Sequence, residues 1–142
     1  MNKSNKYNAK TVYFNRELNV SFPPEIGKDL PGFEKFDSEF ELKVYKEILH
    51  YTFFVQRQQP FNLTASRLLI DFFLQHKLDN GQISFLAIEA KGYETSVWKL
   101  KYKEFKLLYP LIPIFIIRKT TDILKLRKVL NGKNFVSSLR NS

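Results

Sequence analysis

The chain has no cysteine and only two histidines, and these absences narrow the chemistry that it can carry out. Without cysteine it can form no disulfide, no thiolate metal site and no cysteine nucleophile. His50 and His76 are too few for a histidine metal cluster. No apolar segment follows the basic start, and the longest apolar runs, such as residues 111–117, are too short to cross a bilayer. We therefore expect an intracellular, cytoplasmic protein with no membrane partner.

Apolar and aromatic residues, by contrast, are abundant enough to build a core. Of the 142 residues, 44% are hydrophobic, and 14 phenylalanines and 7 tyrosines are among them. A chain of this length and composition suits one main domain with a single core. We expect that domain to span residues 36–142. An arm of residues 1–35, with strand-like runs that suggest a β-hairpin, precedes it.

Positive charge is concentrated in the last third of the chain. Residues 1–90 contain 11 Lys or Arg and 11 Asp or Glu, whereas residues 91–142 contain 12 and 3. The net charge of +9 therefore belongs entirely to the second segment. A one-sided basic region attracts polyanions, because neutralised phosphates release counterions. The pattern favours a nucleic-acid partner, and a lysine-rich surface that serves only solubility is the alternative.

The hydrophobic pattern predicts an α/β fold, in which a mixed β-sheet core is flanked by α-helices. The predicted helices span residues 38–51, 94–109 and 122–130, with Thr121 capping the last and Asn131-Gly132 stopping it. The predicted strands span residues 11–14, 19–22, 53–63, 67–75, 82–90 and 112–118. Pro60 favours an edge position for the third of these strands. The turn Asp79-Asn80-Gly81, which tolerates positive φ, joins the fourth and fifth strands into a hairpin.

Two of these strands carry residues that suggest a metal site. Asp71 lies inside the apolar run Leu68-Leu69-Ile70-Asp71-Phe72-Phe73, where a carboxylate is costly to bury unless it is paired or binds a metal. Glu89 and Lys91 end the next strand and project to the same face, because side chains alternate along a strand. The hairpin places Asp71 beside them, which offers two oxygen ligands for Mg²⁺ and a neighbouring cation. Taken singly, Asp71 is equally an ion-pair residue, and Glu89 and Lys91 an exposed charge pair.

Glu41 is the fourth candidate site residue. On a helical wheel it falls in the middle of the apolar arc of the 38–51 helix, whereas Glu39 and Glu47 fall on the solvent side. A metal site would account for an inward glutamate. The sequence Ser38-Glu39-Phe40-Glu41 also fits a capping box, in which Glu41 satisfies only backbone donors, and both roles can coexist.

The order Glu41, Asp71, Glu89-Ala90-Lys91 resembles the PD-(D/E)XK nuclease superfamily, which has the restriction-endonuclease-like fold. The resemblance covers about residues 36–118, and Ile70 stands in place of the nominal proline. Within the superfamily, the sequence is similar to phage Holliday-junction-resolving endonucleases and to TnsA-type nuclease domains. It implies a metal-dependent endodeoxyribonuclease in which Asp71, Glu89 and Glu41 bind Mg²⁺, with Mn²⁺ as a substitute. It also implies that Lys91 stabilises developing charge, that the metal activates the attacking water, and that cleavage leaves a 5′-phosphate.

The helix that follows Lys91 carries candidate DNA-binding residues. Lys99, Lys103 and Lys106 form one basic stripe on it, which can follow a phosphate backbone, and an ordinary solvated face is the alternative. Lys101 lies apart from the stripe, and it either packs its stem past apolar neighbours or approaches the site. Trp98 lies on the apolar side, so we interpret it as a core residue rather than a base-stacking group.

DNA is thus the predicted partner, and three substrates stay open: a branched, Holliday-junction-like DNA, a specific duplex cut by a homing or restriction enzyme, and a transposon end. Cutting two strands usually needs two active sites, so we expect a twofold homodimer to which the 1–35 arm contributes. A hypothesis of another class is a non-catalytic DNA-binding module, which predicts the loss of an acidic ligand or of the lysine. An RNA-processing nuclease would need a stacking platform, for which the sequence has no motif.

Overall fold

The computed structural model describes residues 10–52 and 54–131 and shows an α/β fold. The chain forms two compact units, Met1–Lys46 and Glu47–Ser142. The sheets are a three-stranded antiparallel sheet and a four-stranded mixed sheet, and four helices accompany them, so the predicted mixed sheet with flanking helices is confirmed. Across the described ranges, no helix combines the length and the apolar character needed to span a bilayer.

The first unit contains the three-stranded sheet, in the order β2-β1-β3. Its elements are β1 (Val12–Asn15), β2 (Val20–Phe22), the short helix α1 (Pro24–Gly27) and β3 (Glu34–Phe36). β1 and β2 form the predicted antiparallel hairpin, and β3 has no counterpart among the predicted strands. Gly27 lies so close to β1 that a Cβ there would be 2.5 Å from the Tyr13 Cβ, so the position suits only glycine.

Helix α2 (Glu39–Leu49) corresponds to the predicted 38–51 helix. It begins after Ser38, whose Oγ accepts a hydrogen bond from the Glu41 backbone N–H at 3.0 Å, as in the first half of a capping box. Glu39 is exposed, as predicted. The prediction for Glu47 is wrong, because its side chain is buried and accepts a hydrogen bond from Arg127 Nε at 3.0 Å. Glu47 lies at the edge of the apolar arc, where Arg127 of another helix covers it in place of solvent. A helical wheel describes only one helix, so it cannot show this contact.

The second unit contains the mixed sheet, in the order β4-β5-β6-β7. Its elements are β4 (Val55–Asn62), β5 (Arg67–Lys77), β6 (Ile83–Ala90), α3 (Ser96–Leu108), β7 (Ile114–Ile117) and α4 (Thr120–Asn131). The first three strands pair antiparallel, whereas β7 pairs parallel to β6. β4, which contains Pro60, is an edge strand as predicted. Gly81 has a φ of 87° in the turn between β5 and β6, as the hairpin prediction requires.

One core cluster fixes α3 against the sheet. Thr95 caps the helix, since its Oγ1 accepts a hydrogen bond from the Trp98 N–H at 3.1 Å. The cluster contains Trp98 and Phe105 of α3, together with Leu63, Leu68, Ile70, Phe73, Ala87 and Ile116. The ring centroid of Phe61 lies 5.1 Å from those of both Phe105 and Tyr109, in edge-to-face arrangements. Trp98 is therefore a core residue, as predicted.

The start of α4 differs from its prediction. Thr121 lies inside the helix, so its prediction as the N-cap is wrong. Instead, the Asp122 carboxylate accepts hydrogen bonds at 2.9 and 3.2 Å from the two backbone N–H groups that precede the helix. A carboxylate satisfies these groups more strongly than a threonine hydroxyl, because its charge assists the bonds. The helix ends at Asn131, and the predicted stop at Gly132 lies outside the described residues.

Candidate active site

Asp71 lies where the backbone pairing of β5 is interrupted on both sides. Toward β4, the register is continuous except at one pair, Gln58 and Asp71. Toward β6, the pairing ends one residue short of Asp71. Ile70 and Phe73 belong to the same core cluster, although strict alternation would place them on opposite faces of the strand. The alternation of β5 therefore changes at Asp71.

Side chains replace the missing backbone pairing between β5 and β6. The Asp71 backbone N–H donates to Glu89 Oε1 at 2.6 Å. In return, the Ala90 backbone N–H donates to Asp71 Oδ2 at 3.0 Å. Two carboxylates from adjacent strands are thus held together by reciprocal bonds, as the predicted hairpin requires.

Trp98 connects the buried carboxylate with the nearby lysine. Its Nε1–H donates to Glu89 Oε2 at 3.3 Å, so both oxygens of Glu89 accept a hydrogen bond. The Lys91 Nζ lies 5.2 Å from the centroid of the same indole ring, which is a cation–π distance. The Lys91 backbone N–H donates to the Ile117 carbonyl at 2.8 Å, which anchors this residue to β7. The structure therefore brings Asp71, Glu89 and Lys91 into one neighbourhood.

The electrostatics of the pair disfavour two negative charges. Glu89 is 2% exposed, and its pKa is raised from the usual 4.5 to about 8, with burial as the largest cause. The negative charge of Asp71 contributes to this rise, whereas the hydrogen bonds to Glu89 and the charge of Lys91 oppose it. At neutral pH this carboxyl is therefore mostly protonated unless a further cation approaches. A cation at the pair would relieve the repulsion and hold both groups ionised.

The donor set of the pair fits a hard divalent cation. Among residues 10–52 and 54–131, no three His, Cys, Asp or Glu side chains gather into a metal-binding group. Asp71 and Glu89 therefore act as a pair within the second unit. Mg²⁺ is commonly bound by one or two carboxylates, with waters and substrate phosphates as its other ligands. An oxygen-only set also suits Mn²⁺, and it lacks the nitrogen or sulfur ligands typical of zinc sites.

Glu41 is a buried acid of the first unit. Its side chain is 7% exposed, which agrees with its predicted inward position on α2. Its backbone N–H is held by Ser38, as described above, so a capping role for the Ser38 side chain is present. The role of Glu41 as a third acidic ligand stays a prediction.

The lysines of α3 divide into two groups. Lys99, Lys103 and Lys106 are exposed, as the predicted stripe requires, and the Lys106 Nζ lies 4.4 Å from the ring centroid of Tyr102. Lys101 instead donates from its Nζ to the Arg67 carbonyl at 3.1 Å. Lys101 thus extends toward the start of β5, which answers the question that the sequence left open.

Two contacts of the site are absent from the sequence-based predictions. The Gln58 Nε2 donates to Asp71 Oδ1 at 3.3 Å, and the Trp98 indole bonds to Glu89. The first contact carries no sequence signal, because it depends on the register between β4 and β5. The second could have been suspected, because a buried indole N–H needs an acceptor and Glu89 is the nearby inward acid.

In this arrangement Asp71 and Glu89 are the residues that would hold a divalent cation, and Lys91 would place one positive charge beside it. The arrangement consists of two carboxylates, a lysine and the Trp98 indole, which contacts both Glu89 and Lys91. The exposed lysines of α3 lie on the helix that begins after Lys91. Comparison of the chain with protein-family models, with curated proteins and with solved structures finds no match.

Proposed function

We propose that this protein is a Mg²⁺-dependent DNA endonuclease of the PD-(D/E)XK type, which hydrolyses phosphodiester bonds. The observation that supports the proposal is the reciprocal bonding of Asp71 and Glu89 at an interruption of the sheet, with Lys91 directly after the end of β6. A buried pair of acids destabilises a fold when no cation compensates their charge. Such a pair beside a lysine is typical of a metal-assisted hydrolytic site.

The proposed roles follow from the atoms that each residue presents. Asp71 and Glu89 would hold the cation, and their bonds to backbone N–H groups keep the carboxylates in place. A divalent cation bound there supplies activation of the phosphate and of the attacking water. Lys91 would stabilise the negative charge that develops on the phosphate, and the Trp98 ring keeps its Nζ near Glu89. Glu41 is proposed as a third acidic residue of the site.

The exposed lysines of α3 would hold the DNA backbone near these acids. Lys99, Lys103 and Lys106 lie on the helix that starts a few residues after Lys91. Their contacts would be with phosphates, which position a nucleic acid without reading its sequence. We propose branched, Holliday-junction-like DNA or a specific duplex as the substrate. A homodimer would supply one active site for each of the two strands.

The proposal is tested by a cleavage assay on a supercoiled plasmid, a four-way junction and single-stranded DNA, with Mg²⁺ and with EDTA. We expect cleavage with Mg²⁺ and Mn²⁺ and none with EDTA. Asp71→Ala and Lys91→Ala should each lower the rate at least about 100-fold, because each removes transition-state stabilisation, and should leave DNA binding intact.

Matched control variants come from the same hairpin. Asp79→Ala removes an exposed acid of the turn, and Lys77→Ala removes an exposed lysine of β5, so both should cleave at the wild-type rate. Cleavage that survives EDTA, or cleavage unaffected by Asp71→Ala, would contradict the proposal. DNA binding without cleavage on any substrate would instead support the non-catalytic DNA-binding module.

A further inference from the structure

Gln58 has a backbone conformation that a strand residue rarely adopts. Its φ is +52°, and Asn19 at +54° is the other non-glycine residue with positive φ in the described part of the chain. Asn19 lies in the turn between β1 and β2, and asparagine tolerates this conformation well. Gln58 lies in the middle of an eight-residue strand, where extended backbone is the rule. Such a conformation is energetically unfavourable for a residue with a side chain and persists when its surroundings impose it.

The unusual conformation falls directly opposite Asp71. Pairing between β4 and β5 has one register along its whole length, and the pair that would join Gln58 to Asp71 is the one missing from it. A left-handed residue turns its peptide groups out of the plane of the strand, so it interrupts the ladder without shifting the register. The interruption is thus confined to the residue that carries the site carboxylate.

The side chain of Gln58 acts on the same residue. Its Nε2 donates to Asp71 Oδ1 at 3.3 Å, while Asp71 Oδ2 accepts from the Ala90 N–H. Each oxygen of the carboxylate therefore has a donor, and the two donors come from the strands on either side of β5. Gln58 itself is exposed, so burial of apolar surface does not account for its conformation.

We infer that Gln58 is a positioning residue for Asp71. Its left-handed backbone interrupts the β4–β5 ladder at Asp71, and its amide holds Asp71 Oδ1 while the Ala90 N–H holds Oδ2. The inference rests on the proposed function, because the positioning of Asp71 matters only if Asp71 holds Mg²⁺ at the proposed site. Gln58 touches neither the DNA nor the reacting atoms in this scheme and acts through Asp71.

Two substitutions separate the backbone role from the side-chain role. Gln58→Gly keeps the left-handed conformation and removes the amide. Gln58→Val removes the amide and also disfavours positive φ, because a β-branched residue is strained there. Asn19→Val is the matched control, since it introduces the same strain at the other positive-φ residue, in the first unit.

Calorimetric titration with Mg²⁺ and steady-state cleavage give the functional readout. We expect Gln58→Gly to weaken Mg²⁺ binding about 3- to 10-fold, as for the loss of one hydrogen bond to a charged group. We expect Gln58→Val to weaken it by about a further 10-fold, because the left-handed conformation is now opposed. In both variants kcat should fall at subsaturating Mg²⁺ while the KM for DNA stays constant, and high Mg²⁺ should restore kcat for Gln58→Gly. Asn19→Val should lower the Tm and leave Mg²⁺ binding unchanged.

Backbone amide NMR in the absence of metal tests the positioning role of Gln58 independently of the proposed nuclease function. With no metal present, the backbone amide resonance of Ala90 should shift modestly in Gln58→Gly, which loses only the side-chain amide, and the resonances of both Asp71 and Ala90 should shift further in Gln58→Val. If the wild type neither binds Mg²⁺ nor cuts DNA, the proposed function fails, and these resonances still decide the positioning role. If both Gln58 variants match the wild type in Mg²⁺ binding and in these resonances, the inference is overturned. If Gln58→Val does not fold, Gln58→Gly decides, and wild-type Mg²⁺ affinity in it refutes the role of the amide.

Discussion

Glu89 is a buried acid whose ionisation the fold resists, so Glu89→Gln should stabilise the protein while abolishing the proposed activity. Its pKa is about 8 in the folded protein and its usual value is 4.5. Between these values the folded state keeps a proton that the unfolded state releases, so stability falls as the pH rises from 4.5 to 8. Integrated over the pKa difference, the loss is about 3 kcal/mol at pH 7 and about 5 kcal/mol well above pH 8.

Glutamine removes this pH-dependent loss because it stays neutral, but it also disturbs two hydrogen bonds. Glu89 accepts from the Asp71 N–H and from the Trp98 indole, and an amide has only one accepting atom. The mismatch at the second donor costs about 1–2 kcal/mol. The net gain is therefore about 1–2 kcal/mol at pH 7, which raises the Tm by roughly 3–6 °C for a domain of this size.

Thermal unfolding in EDTA at pH 5, 7 and 8.5 measures the effect. We expect the Tm difference between Glu89→Gln and wild type to grow with pH. In 10 mM Mg²⁺ the wild type should gain about 1.4 kcal/mol if the dissociation constant is about 1 mM, and the variant should gain almost none. Glu104→Gln is the control, because hydrogen bonds from Thr64 lower the pKa of Glu104, and its loss should give no stabilisation. A difference that is absent at pH 8.5, or that shrinks as the pH rises, would refute the reasoning.

Three further predictions concern other parts of the chain. Trp98→Phe removes the indole donor to Glu89, so it should weaken Mg²⁺ binding about 3- to 10-fold by calorimetry, while a wild-type affinity would make the indole merely structural. Changing Lys99, Lys103 and Lys106 together to alanine should reduce the slope of log K for duplex DNA against log salt by about 2–3, and an unchanged slope would make the stripe a solvated face. Gly27→Ala should destabilise the fold by about 1–3 kcal/mol in urea unfolding, because the added Cβ meets a tyrosine side chain, and full stability would contradict the close approach.

Local patterns account for most of the elements. The turn at Gly81 needs a residue with positive φ, and the strands around it need alternating apolar residues. Both properties depend on residues that are neighbours in the sequence. Pro60 likewise predicts an edge strand, because proline lacks the N–H that a second neighbouring strand would need. The predicted N-cap of α4 was wrong. Thr121 and Asp122 are both good capping residues, and which of them bonds to the free backbone N–H groups depends on the three-dimensional path of the chain.

The sequence by itself determined the pairing of Asp71 with Glu89 and Lys91. Asp71 and Glu89 lie on two strands joined by a tight turn, and Lys91 directly follows the second strand, so chain connectivity and the hairpin register bring them together. It also determined the inward position of Glu41, because the period of one helix is enough to define its apolar side.

Only the tertiary structure decided which side chains hold Asp71 and Glu89 in place. Gln58, Trp98 and the partner of Glu47 come from other elements than the acids they contact, and these contacts depend on strand register and on how helices pack. The high pKa of Glu89 is likewise tertiary, since burial and the charge of Asp71 cause it. Desolvation and charge repulsion act between groups that the fold brings together, so no local pattern of residues can specify them.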